Sequence, residues 1–195
     1  MIVVVGNSAS LLGHGLEPII DAADEIVRCN AYRIDGFRED VGSRVTHWAF
    51  GVCPALVTII RKDGPPPGLP VESWPVGIGG KPATRSDDWR ELLLLVPLGR
   101  VVDLTYASLA PDVAADLHQY RLCSRHRQPS TGMFAVARAV GLSPLEAVGA
   151  CGLGPANGHY YAPQSGPLSP RHLASQEQAL LDRWESHGRV IQLDR

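Results

Sequence analysis

Long apolar runs are missing from this chain: none approaches the 18 or so residues that a membrane-spanning helix needs. Charge is also modest. Asp, Glu, Lys and Arg make up 19% of the residues, and the net charge of −2 gives no electrostatic case for nucleic acid or an anionic membrane surface. The four cysteines, Cys29, Cys53, Cys123 and Cys151, form no CxxC pair. Most lie in apolar surroundings that suggest buried thiols in a reducing compartment. Cys123 and His126 with His118 lack a fourth ligand and fit no structural zinc spacing, so no metal site is expected. No G-x-x-x-x-G-K-[ST] is present, which argues against a P-loop nucleotidase, and no G-x-S-x-G elbow appears. Gly13-His14-Gly15 and Gly77-Ile78-Gly79-Gly80 lack the spacing and context of a dinucleotide fingerprint, which counts against an oxidoreductase. The basic residues Arg121, Arg125 and Arg127 have no interleaved aromatics and read as a solvated face by default, or as a help in holding an anionic ligand, since the cluster runs directly into Pro129. The N-terminus opens directly into a strand, so no secretory leader is expected.

What is present is a β/α alternation. The 195 residues, 45% of them hydrophobic, suffice for one domain with a sizeable core and no disulfides. Val3, Val4 and Val5 read as a buried parallel strand ended by Gly6. Periodicity predicts further strands at 25–29, 45–50, 101–104, 146–151 and 189–193. Helices are expected at 16–24, 54–61, 87–96 behind a Ser86 cap, 111–120, 131–140 and 173–187. Residues 63–70, with four prolines, read as a loop, and the Gly- and Pro-rich 152–170 reads as a loop over a site. The expected fold class is α/β: a single-domain, mostly parallel Rossmann-like nucleotide-binding sheet with helices on both faces, spanning 1–195.

Two loops more than 100 residues apart suit one ligand. Gly6-Asn7-Ser8 forms a tight turn at the carboxyl end of the first strand, where open α/β sheets bind ligands. Ser130 and Thr131, in Pro129-Ser130-Thr131-Gly132, look like helix N-cap residues whose free N–H groups can bind an anion. Asn7 and Asn30 offer an amide donor and acceptor together, suited to a ribose, phosphate or cytosine edge, and Ser8 adds a hydroxyl. Each amide also has a plainer reading, Asn7 as a turn residue bonding its own backbone and Asn30 as a strand-end turn. Arg28 and Asp40 read as a structural pair beneath the site. Trp48, Trp74, Trp89 and Trp184 can stack a sugar or fill the core.

Gly6-Asn7-Ser8, Arg28-Cys29-Asn30 and Asp40-Val41-Gly42-Ser43, closed by Thr46-His47, resemble the large motif of the eukaryotic-type sialyltransferases. Pro129-Ser130-Thr131-Gly132 resembles that family's small motif, and His159-Tyr160-Tyr161 its third. His172-Leu173-Ala174-Ser175-Gln176-Glu177 is similar to the very short motif, a histidine and a glutamate separated by four residues. The four occur in the family's order, and nothing between 51 and 126 matches. The family's usual disulfide between large and small motifs has no counterpart: an aliphatic residue near Ile2 or Val3 and Ser143 stand at its positions. Both partners are missing together, as expected of a cytoplasmic relative.

The resemblance implies a variant GT-A sheet and an inverting transfer of sialic acid, or a related acid such as Kdo, from a CMP-sugar to a hydroxyl of a glycan or glycolipid. No cofactor is implied, since the CMP-sugar is a substrate. The departing phosphate monoester is already a stable anion, so no metal is required, in keeping with the lack of a D-x-D motif. His172 is the candidate general base, its ordinary pKa of about 6.5 lying near the working pH, with Glu177 orienting it. On spacing alone, His172 reads as a cap on a surface helix and Glu177 as a solvated charge; the ordered motifs shift both toward function. His159 and Tyr160 or Tyr161 are the candidate donors to the leaving phosphate. Ala162 stands where the family usually has an acidic residue. A non-catalytic nucleotide-binding module is the alternative reading.

Overall fold

The computed structural model describes residues 1–68, 70–76, 82–122, 128–153, 159 and 174–195. Seven strands form one sheet, and every pairing is parallel. They are β1 (Ile2–Val5), β2 (Glu25–Cys29), β3 (His47–Gly51), β4 (Glu72–Val76), β5 (Arg100–Val101), β6 (Val148–Cys151) and β7 (Val190–Gln192). The helices between them are α1 (Glu17–Asp21), α2 (Arg38–Val41), α3 (Pro54–Asp63), α4 (Asp87–Leu95), α5 (Pro111–Gln119), α6 (Thr131–Leu142) and α7 (Ala174–Ser186).

The spatial order is β5-β4-β3-β2-β1-β6-β7. The chain therefore winds outward from β1 in one direction through β5, then returns to the other side of β1 for β6 and β7. Right-handed crossovers in opposite directions put helices on opposite faces, and the packing agrees. Ile2, Val4, Val27, Cys29, Ala49, Trp74, Ala150 and Val190 pack with residues of α5, α6 and α7. Their strand neighbours turn the other way, as the period of two requires. Val3, Val5 and Ile26 pack against Leu16 and Ile20 around α1. Trp48 and Phe50 pack against Leu56 and Ile60 of α3 and Trp89 and Leu92 of α4.

Helix α6 buries eight of its twelve residues. That marks it as a central helix rather than an amphipathic surface one, and it crosses β1, β2, β3, β4 and β6. Its N-terminus is thereby carried to the middle of the sheet's carboxyl edge.

Several elements differ from the sequence reading. Strand β4 was not anticipated, because Ser73 and Pro75 interrupt its apolar pattern. Pro75 is tolerated since its carbonyl, and hence its missing N–H, faces the β5 side, where Leu104 donates to that carbonyl at 2.8 Å and the β5 ladder spans only two residues. The predicted strand at 101–104 shrinks to Arg100–Val101, with a single bridge from Leu104 to Val76. Helix α1 stops at Asp21, three residues early, where the chain turns into β2. The four tryptophans are all buried, so none of them is a sugar-stacking platform.

The expected pair of Arg28 and Asp40 does not form. Arg28 is fully buried and donates to the carbonyls of Val41 and Arg44, both at 2.8 Å, with its guanidinium over the Tyr32 ring. Asp40 accepts from the Gly15 N–H at 2.9 Å instead. Asp21 receives the N–H and O–H of Ser43. The Asp40-Val41-Gly42-Ser43 segment thus anchors the loop entering β3. The thiols of Cys29, Cys53 and Cys151 are free, and no helix among the described residues is long and apolar enough to cross a membrane.

Candidate functional site

The sheet reverses its winding between β1 and β6, and the crevice at the carboxyl ends of these strands is where such folds bind ligands. Three turns meet there. The β1 turn is pinned to the β6 turn by Gly6 N–H donating to the Cys151 carbonyl at 2.8 Å and Ser8 N–H donating to the Gly152 carbonyl at 2.9 Å. The two backbones approach so closely that a Cβ on Gly6 would run into the Gly152 carbonyl. Leu153 then reaches across both Gly6 and Gly132, which brings the head of α6 against the other two turns.

Asn7 lies between the two pins and is 7% exposed. Its Nδ2–H donates to the Cys29 carbonyl at 2.8 Å, which fixes the amide across the ends of β1 and β2. Its Oδ1 is buried and has no hydrogen-bond partner among the described residues, an acceptor such sites seldom leave unused. Asn30 follows β2 in the left-handed region at φ 49°, which asparagine tolerates better than most residues. Its Oδ1 accepts from the Gly51 N–H at 3.0 Å and its carbonyl from Trp48 Nε1–H at 2.7 Å. A Cβ on Gly51 would sit 3.3 Å from Thr131 Oγ1, so the ends of β2 and β3 also face the head of α6.

At that head, Ser130 is the N-cap and its Oγ accepts from the Met133 N–H at 3.1 Å. The N–H groups of Thr131 and Gly132, in the first turn, have no intrahelical acceptor. Glu177, 4% exposed on α7, takes the Ser130 N–H at 2.6 Å and the Ser130 O–H at 2.7 Å. Ser130 is therefore engaged on both its polar groups, and Thr131 and Gly132 are the residues of this turn left to meet a ligand.

His159 forms an antiparallel bridge with Ser8. Burial lowers its pKa below the ordinary histidine value, and a hydrogen bond from the ring to the Asn7 carbonyl partly offsets this. One ring nitrogen thus carries the proton toward Asn7, and the other is a lone pair until the ring is protonated.

The sequence-predicted residues Asn7, Ser8, Asn30, Thr131, Gly132 and His159 come together at the sheet's carboxyl edge. Ser130 and Glu177 meet each other directly beside them. His172, Tyr160 and Tyr161 lie outside the described residues. Sequence reasoning missed Gly51, Leu153 and Asp194. Asp194 Oδ2 accepts from Ser10 Oγ–H at 2.7 Å and Gly152 N–H at 2.9 Å. No motif flags these three, because their roles arise only from register across the sheet.

Residues 2–61 match the model of glycosyltransferase family 29, the sialyltransferases. A segment of 43 residues is 51% identical to sialyltransferase-like protein 2 of Oryza sativa subsp. indica, covering 22% of this chain and 11% of that protein. A mammalian sialyltransferase solved in complex with Gal-beta-1-3GalNAc-ortho-nitrophenol superposes with a TM-score of 0.65 at 19% identity, over 98% of this chain and 68% of that one. The sialyltransferase CstII from Campylobacter jejuni, solved in complex with the substrate analogue CMP-3FNeuAc, gives 0.52 at 13% identity, over 98% and 80%. The chain thus resembles glycosyltransferase family 29 in sequence over residues 2–61, and its fold over nearly its whole length is similar to that of solved sialyltransferases.

Proposed function

We propose that this chain is a single-domain inverting glycosyltransferase of the variant GT-A type. It would move sialic acid, or a related acid such as Kdo, from a CMP-sugar to a hydroxyl of a glycan or glycolipid. The observation that carries the reading is the meeting of Asn7, Asn30 and the head of α6 at the switch point of a parallel sheet. The amides suit the nucleoside, and the Thr131 and Gly132 N–H groups with the positive end of α6 suit its phosphate. That CMP-3FNeuAc is a substrate analogue for a protein of similar fold supports a cytidine donor.

In this reading the acceptor oxygen attacks the anomeric carbon as its bond to the CMP phosphate breaks. The electron pair leaves with CMP, and the hydroxyl proton passes to His172. General base catalysis contributes about 10²–10⁴-fold. His159 beside Asn7 is the second proton-bearing group. An approaching phosphate raises its depressed pKa and so favours the protonated ring, which is a donor at both nitrogens. The leaving phosphate monoester is already a stable anion, so the transfer needs no metal.

The test is thermal melting with CMP, UMP, AMP and NAD. A ligand at about 100 times its dissociation constant stabilises by about 2.7 kcal/mol, a rise of roughly 5–10 °C for this size. A rise with CMP alone is expected, and a rise with NAD alone would overturn the reading. Where CMP binds, His172→Ala is expected to lower donor turnover at least about 100-fold. Unchanged turnover would remove His172 from the mechanism and favour a binding module.

A further inference from the structure

We infer that Asp194 is a positioning residue for the nucleotide site, resting on the cytidine reading above. Strand β7 pairs with β6 in the register Val148 to Val190, Gly149 to Ile191 and Ala150 to Gln192. The Leu193 N–H continues that ladder by donating to the Ala150 carbonyl at 2.9 Å. One residue further the strands part, and the Asp194 side chain replaces the backbone as partner: its Oδ2 takes the Gly152 N–H at 2.9 Å. The same oxygen takes the Ser10 hydroxyl at 2.7 Å, on the 3-10 turn that follows the Gly6-Asn7-Ser8 segment.

One carboxylate oxygen therefore joins the two turns that make the crevice. Gly152 is held in the left-handed region at φ 66°, where its carbonyl faces the Ser8 N–H. Asn7 is suspended between the pins at Gly6 and Ser8, both of which end on the β6 turn. What fixes the β6 turn fixes the unpartnered Asn7 Oδ1 and the His159 ring bonded to the Asn7 carbonyl. Among the described residues, the Asp194 carboxylate bonds to Ser10 and Gly152 and to none of the candidate ligand-binding side chains, so its effect on those passes through backbone geometry.

Because a single oxygen receives both bonds, an amide can substitute for the acid. Asp194→Asn keeps that acceptor, whereas Asp194→Ala removes it. CMP titration by calorimetry, well below each variant's melting temperature, separates positioning from general stability. Asp194→Ala is expected to weaken CMP binding about tenfold, the equivalent of about 1.4 kcal/mol, and Asp194→Asn to stay within about twofold of the original chain. With a CMP-sugar donor, Asp194→Ala should raise KM more than it lowers kcat. Ser10→Ala removes one of the two bonds, keeps the Gly152 contact, and should weaken CMP binding about threefold should the alanine variant at 194 not fold. If Asp194→Ala and Ser10→Ala bind CMP as well as the original chain, or if Asp194→Asn fails as badly as Asp194→Ala, the inference is overturned. An original chain that binds no CMP overturns the cytidine reading itself.

Discussion

Both carboxylate oxygens of Glu177 accept from Ser130. A buried carboxylate is costly unless its lone pairs are used, and here a backbone N–H and a hydroxyl satisfy it while fixing the first turn of α6. Glu177→Ala leaves the Ser130 donors without this acceptor. Hydrogen bonds to a charged group contribute about 1.5–3 kcal/mol each, less than additively within one network. A loss of about 3 kcal/mol in urea unfolding is expected, with Glu177→Gln losing about 1 kcal/mol because its carbonyl still accepts from the backbone. Equal stability of the alanine variant would show that the clamp carries no load. The residue's identity was legible from its spacing behind His172. Its partner was not, since Ser130 lies 47 positions earlier and on another helix.

At the scale of elements, the crevice depends on how closely the β1 and β6 turns approach. Gly6 leaves no room for a side chain because backbone, not a movable side chain, faces it. Overpacking typically costs 1–3 kcal/mol and occasionally more, and this contact cannot relax by rotation. Gly6→Ala is expected to lose about 3 kcal/mol or more and, if folded, to lose CMP binding in the melting assay. A variant that melts and binds as the original does would show that the turns do not need this approach. Most helices and strands could be read from periodicity and caps: Ser86 and Ser130 cap α4 and α6 as their positions suggest. Strand β4 could not, because Pro75 disqualifies a strand unless its neighbour is known to end early.

For the whole molecule, acid stability follows from two histidines at opposite ends of the sheet. Burial depresses the pKa of His47, with Glu25 and Glu72 partly opposing it, and burial depresses that of His159. On acidification the unfolded chain takes up these protons first. Stability is therefore full above about pH 6.5, the unfolded value, and falls as pH drops toward the folded values. Asp21, Asp40 and Asp182, whose folded pKa values are lowered, add their losses only further down, below about pH 4. The urea midpoint should be lower at pH 5.5 than at 7.5, and His47→Gln should flatten the difference. Matching midpoints at the two pH values would contradict this.

The sequence by itself determined the fold class, the order of most elements and the polar residues of the three turns, because strand and helix periods and cap chemistry are local properties. The tertiary structure alone decided which of those residues share a crevice. It turned Ser130 toward Glu177, left Thr131 and Gly132 at the head of α6, buried the four tryptophans and withdrew Arg28 beneath the sheet. It also brought Asp194 to Gly152 through the register of β6 and β7. Register and winding direction depend on contacts between segments tens to hundreds of residues apart, and no local pattern encodes them.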